Sequence, residues 1–297
     1  MNISVIIPTY KNEFFFKNLE HNLSYISDYE VIIVNDNPSY SLVNKLLNYE
    51  NIKLIENKKN LGFSGTINIG AKKASGKYLM LLNDDVTLND KSFEKATLKF
   101  QESKNIFAVS FAQKENSGKI IGSNKIFFKN GFLQHDSDSV EKLKLNAWAE
   151  GGACLIDKNK FLELGGFDKN FNPFYWEDID LSYRAYKLGY EIIFDPSIIV
   201  NHNHETTIKS AFKNNYIEKI AYRNQLLCIW KNITDKNMLK NHYYHLFKKA
   251  IKSLVKLDFN FLNALLLALI KLPAIVKFRF NSKHKLTDHE ILEKFKK

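Results

Sequence analysis

With 297 residues, 45% of them hydrophobic and 13% aromatic, the chain can bury a sizeable core and is not a disordered one. Its two cysteines, Cys154 and Cys228, stand far apart and in no metal-ligand spacing, which points to reduced thiols of a cytosolic protein and excludes a disulfide framework. The net charge of +11 is segregated: residues 1–205 hold 24 Lys and Arg against 26 Asp and Glu, a net of −2, whereas residues 206–297 hold 19 against 6, a net of +13.

The chain enters a strand at once (Ile3 to Ile7, ended by Pro8), so no secretion leader is expected. A helix is predicted over Glu13 to Ile26, with Phe15, Phe16, Leu19, Leu23 and Ile26 at helical spacing. Glu30-Val-Ile-Ile-Val is a second buried strand that stops in the dense turn signal from Asn35 to Ser39. Leu42, Leu46 and Leu47 mark a second helix and Ile52 to Ile55 a third strand. Asn60-Leu-Gly-Phe-Ser-Gly is a loop leading into a helix through Ala74. After Gly76 the apolar run Tyr78 to Leu82 reads as a strand buried on both faces, and it delivers Asn83, Asp84 and Asp85 at its carboxyl end. Open α/β sheets bind ligands there. Adjacent carboxylates repel, which a divalent cation between them and a diphosphate would relieve; a solvated turn is the alternative. Strands alternating with helices at this pitch mean βαβ units and a mostly parallel sheet, with the loops after Ile7, Val34 and Leu82 along one edge.

A helix over Ser92 to Gln101 and a strand over Ile106 to Phe111 follow. Residues 113–146 are polar and weakly patterned, with a short strand candidate at Lys125 to Phe128, and are assigned to an acceptor-side region. Glu150-Gly-Gly-Ala153 is backbone-permissive and suggests a close approach. A helix from Asp178 puts Leu181, Ala185 and Leu188 inward and ends at Gly189, a suitable residue just past a helix end. Ile192 to Phe194 and Ile198 to Val200 read as two strands, followed by His202 and His204. No period of 20–50 residues recurs, so the chain is not a repeat protein.

Several of these residues have two readings. Asp36 is either a ligand-binding carboxylate or a helix cap or Asx-turn. Asp178 at a helix start is either a proton acceptor or a cap. His202 or His204, after a strand end, is a metal-ligating imidazole or a plain loop histidine. Asp180 and Arg184 are spaced for an ion pair on one helix.

Taken together, Ser4-Val-Ile-Ile-Pro-Thr-Tyr10, Asn35-Asp36, Asn60-Leu-Gly-Phe63, Leu82-Asn-Asp-Asp85, Gly165-Gly-Phe-Asp168 and Trp176-Glu-Asp-Ile-Asp-Leu-Ser-Tyr-Arg184 resemble, in order, the motifs of family 2 glycosyltransferases. The resemblance covers roughly residues 1–206 and is strongest to the bacterial polysaccharide and O-antigen branch, which includes rhamnosyltransferases. It implies an inverting, nucleotide-sugar-dependent enzyme of α/β class with the GT-A fold. On this resemblance Pro8, Thr9, Tyr10, Asp36, Asn60, Gly62, Asn83 and Asp84 bind the donor. Asp36 contacts the pyrimidine base, and a carboxylate accepts from the N3–H that uracil and thymine have and cytosine lacks, so a UDP- or dTDP-sugar is expected. Asn83 departs from the DXD pattern, where the family carries Asp. Asp85 would ligate a divalent cation, Mn²⁺ or Mg²⁺, with His202 preferred over His204 because it comes first after Val200. Glu177-Asp178 resembles the family's ED motif, which makes Asp178 the general base.

The two regions are read as a catalytic domain, residues 1–206, and a basic amphipathic helical region, residues 207–297. In the latter, Tyr222 to Trp230 reads as an amphipathic helix, Leu246 to Leu257 alternates apolar residues with Lys248, Lys249, Lys252 and Lys256, and Phe261 to Ile270 is strongly apolar but too short and too interrupted by Lys271 and Pro273 to span a bilayer. The expected partner is an anionic membrane, placing the protein peripherally on the cytoplasmic face of the inner membrane, beside a glycan or lipid-linked acceptor. Helices packing on the core, or a homo-oligomer interface, are the alternative. No nucleic-acid partner is expected, since only Arg223 and Arg279 follow residue 205 and the aromatics fall in apolar runs. A sugar nucleotidyltransferase would need a Gly-rich phosphate loop where Pro8-Thr9-Tyr10-Lys11 stands.

Overall fold

The computed structural model describes residues 2–11, 13–202, 212–280 and 284–296; His204 lies outside the described residues. Its first half follows the alternation written in the apolar runs: β1 (Ile3–Thr9), α1 (Phe15–Ile26), β2 (Glu30–Asn35), the single turn α2 (Val43–Leu46), β3 (Ile52–Glu56), α3 (Gly62–Lys73) and β4 (Tyr78–Leu82). The four strands are parallel in the order β3-β2-β1-β4. β1 does not end at Pro8 but runs through it. The Asp36 amide donates to the Thr9 carbonyl at 2.9 Å, on the β2 side. Alternation then turns Pro8 toward β4, where the ladder has already ended at Ile6 and Leu81, so its missing N–H costs no hydrogen bond.

The second half adds β5 (Val86–Leu88), a 3₁₀ turn at Ser92–Glu94 leading into α4 (Lys95–Glu102), β6 (Ile106–Glu115), β7 (Ile120–Ile121), β8 (Asn124–Lys129), β9 (Phe132–Ser137), β10 (Lys144–Leu145), β11 (Ala153–Asp157), α5 (Lys158–Glu163), α6 (Glu177–Lys187) and β12 (Glu191–His202). β11 lies antiparallel between β4 and β6, and β12 is parallel to β6. The main sheet reads β10-β12-β6-β11-β4-β1-β2-β3, with β5 on β12 and β7 on β6. β12 is one strand where two were expected, interrupted by an irregularity between Asp195 and Ile199. Pro196 cannot donate there, and the Asp195 carboxylate instead accepts from the Ser197 amide at 2.9 Å and its hydroxyl at 2.7 Å.

The weakly patterned segment 113–146 is more ordered than expected. β8 and β9 form a hairpin whose two-residue turn is Asn130-Gly131, at φ 51° and 79°. This is the dipeptide best suited to a turn with positive φ at both positions, and it marks the hairpin in the sequence. A Cβ on Gly131 would lie 2.6 Å from the Cβ of His245, so the turn also needs glycine for its approach to a C-terminal helix.

That C-terminal region is α7 (Asn214–Asn232), α8 (Lys236–Val255), α9 (Phe259–Phe280) and α10 (Asp288–Glu293). Leu226, Leu227, Ile229, Phe261, Ala268, Ile275 and Ile291 share one hydrophobic core with Ile156, Phe161, Phe171 and Ile192 of the first 206 residues. Where the sequence predicts an amphipathic helix, residues 226–232 of α7 are buried on every side, because α6 and the hairpin cover one flank and α9 the other. Lys231 donates to Asp168 at 2.7 Å and Asp180 at 2.9 Å, and Asn232 donates to Asp180 at 2.8 Å. Arg184 completes the expected pair with Asp180 at 2.9 Å, wholly buried. On the other end of α6, Asp288 accepts from Lys187 and from the Tyr183 hydroxyl, each at 2.7 Å. Breaking one partner of such a buried pair costs roughly 3–5 kcal/mol.

α9 is longer than the short apolar run expected, because the helix continues through Lys271 and Pro273 for 22 residues. From Phe259 to Arg279 it is long and apolar enough to cross a membrane by length and composition. One side lies on α7, with Phe261, Ala264, Ala268 and Ile275 buried. Lys271 donates to the Asn170 carbonyl at 2.8 Å, and Arg279 to those of Trp230 and Ile233 at 3.0 and 2.5 Å. Cys154 and Cys228 are buried free thiols.

Candidate active site

The parallel register brings the ends of β1, β2 and β4 to one edge, as expected from the loops after Ile7, Val34 and Leu82. There the Thr9 hydroxyl donates to the Asp84 carboxylate at 2.6 Å, and the Asn18 amide donates to the Asp84 carbonyl at 2.8 Å. Thr9 therefore fixes one aspartate of the Asn83–Asp85 turn, which the Val86 amide closes onto the Asn83 carbonyl. Pro8 lies in the strand behind it, and Tyr10 is 37% exposed at the mouth.

Asp36 is buried and saturates much of its carboxylate. Oδ1 accepts from the Asn57 side chain and the Leu61 amide, and Oδ2 from the Gly62 amide, each at 2.8 Å. These are the unpaired amides at the start of α3, so Asp36 caps a helix distant in sequence while Oδ2 keeps an acceptor position for a further donor. Asn60 supports the same turn by accepting from the Gly62 amide at 3.1 Å. Gly62 stands at φ +67°, and a Cβ there would come within 3.1 Å of the Asn172 side chain.

Asp85 meets His202 across the sheet edge. β5 pairs with the end of β12, and this register sets His202 Nε2 3.2 Å from Asp85 Oδ1. The other ring nitrogen lies 2.5 Å from Gln113 Oε1, and the Gln113 amide nitrogen donates to Glu150 at 3.0 Å. A carboxylate can only accept, so it orients the Gln113 amide, and Gln113 in turn requires a proton on Nδ1. With Nδ1 turned to Gln113, Nε2 is the ring nitrogen that faces Asp85 Oδ1, a buried oxygen with no hydrogen bond among the described residues. Asn83 Oδ1 is a second buried acceptor on the same turn with no hydrogen bond among the described residues. A carboxylate oxygen, an amide oxygen and an imidazole nitrogen on one edge are a donor set that fits a divalent cation. Among the described residues no three His, Cys, Asp or Glu side chains cluster as a self-sufficient metal cage. Asp85 and His202, with Asn83 beside them, are the side chains on this edge that would hold a divalent ion.

Gly151 and Gly152 make the close approach that their sequence suggests. A Cβ on Gly152 would lie 2.5 Å from the Asn83 amide nitrogen, and one on Gly151 would lie 2.8 Å from the Phe63 ring. Beside this loop stands the start of α6. Tyr175 and Trp176 both take positive φ, 70° and 73°, strained conformations that cost about 1–3 kcal/mol each. The buried Asn224 of α7 holds them by donating to the carbonyls of Phe171, Phe174 and Tyr175 at 2.6–2.9 Å, and Arg223 donates to that of Asn172 at 2.5 Å. Asp178 is not the helix cap: Trp176 occupies that position, and Asp178 lies in the first turn, partly accessible, accepting from the Ile179 amide at 2.8 Å. Burial first, and the Glu150 charge second, raise its carboxyl to about 7. Burial pushes its neighbour Glu177 well above the usual carboxylate range, with Asp178 and Asp180 adding to the effect, and Glu177 Oε2 has no hydrogen-bond partner among the described residues. The two adjacent carboxyls are thus both displaced toward the protonated form.

The hairpin supplies His135, edge-on to the buried rings of Trp148 at 5.2 Å and Trp176 at 5.3 Å. Gln113, Glu150 and Asn224 were not singled out by the sequence. No local pattern marks the first two, and the third shows only as Arg-Asn within a helical run. A separate cavity behind α6, lined by Glu163, Arg184, Lys187 and Phe278 among others, includes none of the site residues.

The family model described as Glycosyl transferase family 2 matches residues 4–165. Low-salt glycan biosynthesis hexosyltransferase Agl10 of Haloferax volcanii is 24% identical over 235 residues, covering 76% of this chain and 75% of that protein. Probable glycosyltransferase YdaM of Bacillus subtilis is 25% identical, covering 66% of this chain and 49% of its own length. Among solved structures, GalNAc-T7 with UDP, GalNAc and Mn²⁺ superposes with a TM-score of 0.61 at 14% identity, over 82% of this chain and 54% of that one. TarS 1–349 of S. aureus with UDP-GlcNAc gives 0.57 at 17%, over 94% and 84%. The mannosyltransferase PcManGT of Pyrobaculum calidifontis, with GDP-Man and Mn²⁺, gives 0.55 at 13%, over 91% and 86%.

Proposed function

The chain belongs to glycosyl transferase family 2, and from that premise we propose that it moves one sugar, with inversion, from a UDP- or dTDP-sugar to a glycan or lipid-linked acceptor in bacterial surface polysaccharide synthesis. The observation that carries the reading is the meeting of Asp85 and His202 at 3.2 Å, with the imidazole tautomer set by Gln113. Bound there, Mn²⁺ or Mg²⁺ supplies charge neutralisation for the departing nucleoside diphosphate. Asp36 offers its remaining Oδ2 acceptor position to the N3–H of uracil or thymine, beside Thr9, Tyr10, Asn60 and Gly62. Asp178, ionising near neutrality, takes the acceptor hydroxyl's proton as that oxygen attacks the anomeric carbon. Support for a nucleotide-bound donor comes from the fold likeness to proteins solved with UDP, UDP-GlcNAc and GDP-Man. A panel of UDP-, dTDP- and GDP-sugars, scored by release of nucleoside diphosphate with and without Mn²⁺, tests this. Turnover is expected for a uracil or thymine donor, and a clear preference for GDP-sugars would overturn the base assignment.

The membrane reading rests on a different observation. Phe247, Ile251, Leu254, Val255, Leu257 and Phe259 are 45–79% exposed along one stretch of α8 and its turn into α9, and Leu266, Leu269 and Ile270 extend it. Exposed lysines Lys248, Lys252 and Lys256 accompany it. An apolar strip edged by lysines fits the interface of an anionic bilayer, each lysine adding about 1 kcal/mol that salt screens. α9 then lies on the surface rather than spanning, since α7 covers one side and Lys271 is held by protein. The protein would sit on the cytoplasmic face of the inner membrane. Because α9 carries core residues, point variants suit the test better than truncation. Cosedimentation with phosphatidylglycerol vesicles should weaken at high salt without vanishing, and Phe247→Asp with Leu254→Asp should remove most of it. Indifference to these vesicles at low salt would leave the strip to an oligomer interface.

A further inference from the structure

Glu150 stands between the two halves of the site and belongs to neither. Its Oε2 accepts from Gln113 at 3.0 Å and its Oε1 from Asn124 at 2.9 Å, so both oxygens are engaged by amides that are themselves buried. Through Gln113 it reaches His202 Nδ1, whose ring presents Nε2 to Asp85. On its other side, the amide of the preceding residue, Ala149, donates to the Ser182 hydroxyl at 3.1 Å. Ser182 lies one helical turn after Asp178, on the same face of α6, so this contact seats the Glu150 loop against the face that carries the proton acceptor.

We propose that Glu150 is a positioning residue that couples the two halves: through Gln113 it holds His202 in the tautomer that can ligate a cation, and it sets its negative charge against the Asp178 carboxylate. The inference rests on the glycosyltransferase reading of Asp85, His202 and Asp178. The first effect follows from donor and acceptor counting. Only an acceptor-only group at position 150 forces the Gln113 amide to turn its oxygen to His202; a neutral amide there can present either end. The second follows from the charges around Asp178. Glu177 and Asp180 share its helix and Cys154 faces it from β11. Burial raises both the thiol and the Glu177 carboxyl, favouring their uncharged forms. Asp180 is neutralised by Lys231 and Arg184. His135 packs beside Trp176. Among the described residues, Glu150, held only by neutral amides, is the charge left to act on Asp178 from outside its helix.

Two variants separate the effects. Glu150→Gln keeps the shape but loses both charge and amide-orienting power. Mn²⁺ affinity, measured by calorimetry without substrate, should fall about 10-fold or more, the scale of losing an outer-sphere partner. The acid limb of kcat/KM for donor hydrolysis should move to lower pH by roughly one unit. Glu150→Asp keeps the charge but is too short to engage both amides; Mn²⁺ binding should weaken while the acid limb stays in place. Wild-type Mn²⁺ affinity in either variant, or an unmoved acid limb in Glu150→Gln, overturns the proposal. Should Glu150→Gln fail to fold, Glu150→Asp decides on metal affinity alone. Failure of the underlying reading looks different, because wild-type protein itself would then bind no Mn²⁺.

Discussion

Asp178→Asn is expected to lower turnover by roughly 10²–10⁴-fold, the usual loss when a general base is removed, with donor binding close to normal. Asparagine keeps an oxygen for the Ile179 amide, so the first turn of α6 should survive. Wild-type activity should fall as the pH drops below about 7, where Asp178 becomes protonated. Stability should run the other way. Folding raises this carboxyl from about 3.9 to about 7, so its contribution is fully present below the unfolded value and is lost as pH rises through 7. At pH 8 the asparagine variant should therefore melt no lower than the wild type, and activity and stability part company. A variant that melts early while keeping its specific activity would reduce Asp178 to a helix-terminal residue with no chemistry.

Asp85→Ala is expected to remove metal-dependent turnover, by roughly 10²–10³-fold or more if the ion's stabilisation of the leaving group is lost. The substitution also removes the carboxylate that faces His202 Nε2, so Mn²⁺ should no longer bind measurably in calorimetry. His202→Ala should weaken binding and turnover to a lesser degree, and His204→Ala less again. The check is a titration of activity against Mn²⁺ after treatment with EDTA. Full wild-type turnover in excess EDTA would sink the assignment of both ligands.

The order of elements in the first half is a local property, readable from the chain alone. Apolar runs such as Tyr78–Leu82 are long enough for a buried strand and too short for a helix, so they set the alternation and the edge on which Asp84 and Asp85 emerge. The Asn130-Gly131 dipeptide likewise encodes the hairpin locally, although the polar residues around it conceal the strands. Which residues meet across that edge is legible only through the family resemblance, not from the residues themselves. His202 finds Asp85 only because β5 and the end of β12 pair antiparallel, a long-range register that no periodicity in either strand encodes. Gln113 and Glu150 acquire their roles from what they face, and a donor or acceptor has no meaning until its partner is placed. That Asp178 lies past the cap, with its carboxyl raised by burial and by Glu150, is likewise a product of packing. In the basic tail, charge and apolar content are compositional and visible from the outset. How they divide, with α7 buried on all sides and the strip on α8 left open to solvent, depends on which helix faces the core finds room to cover.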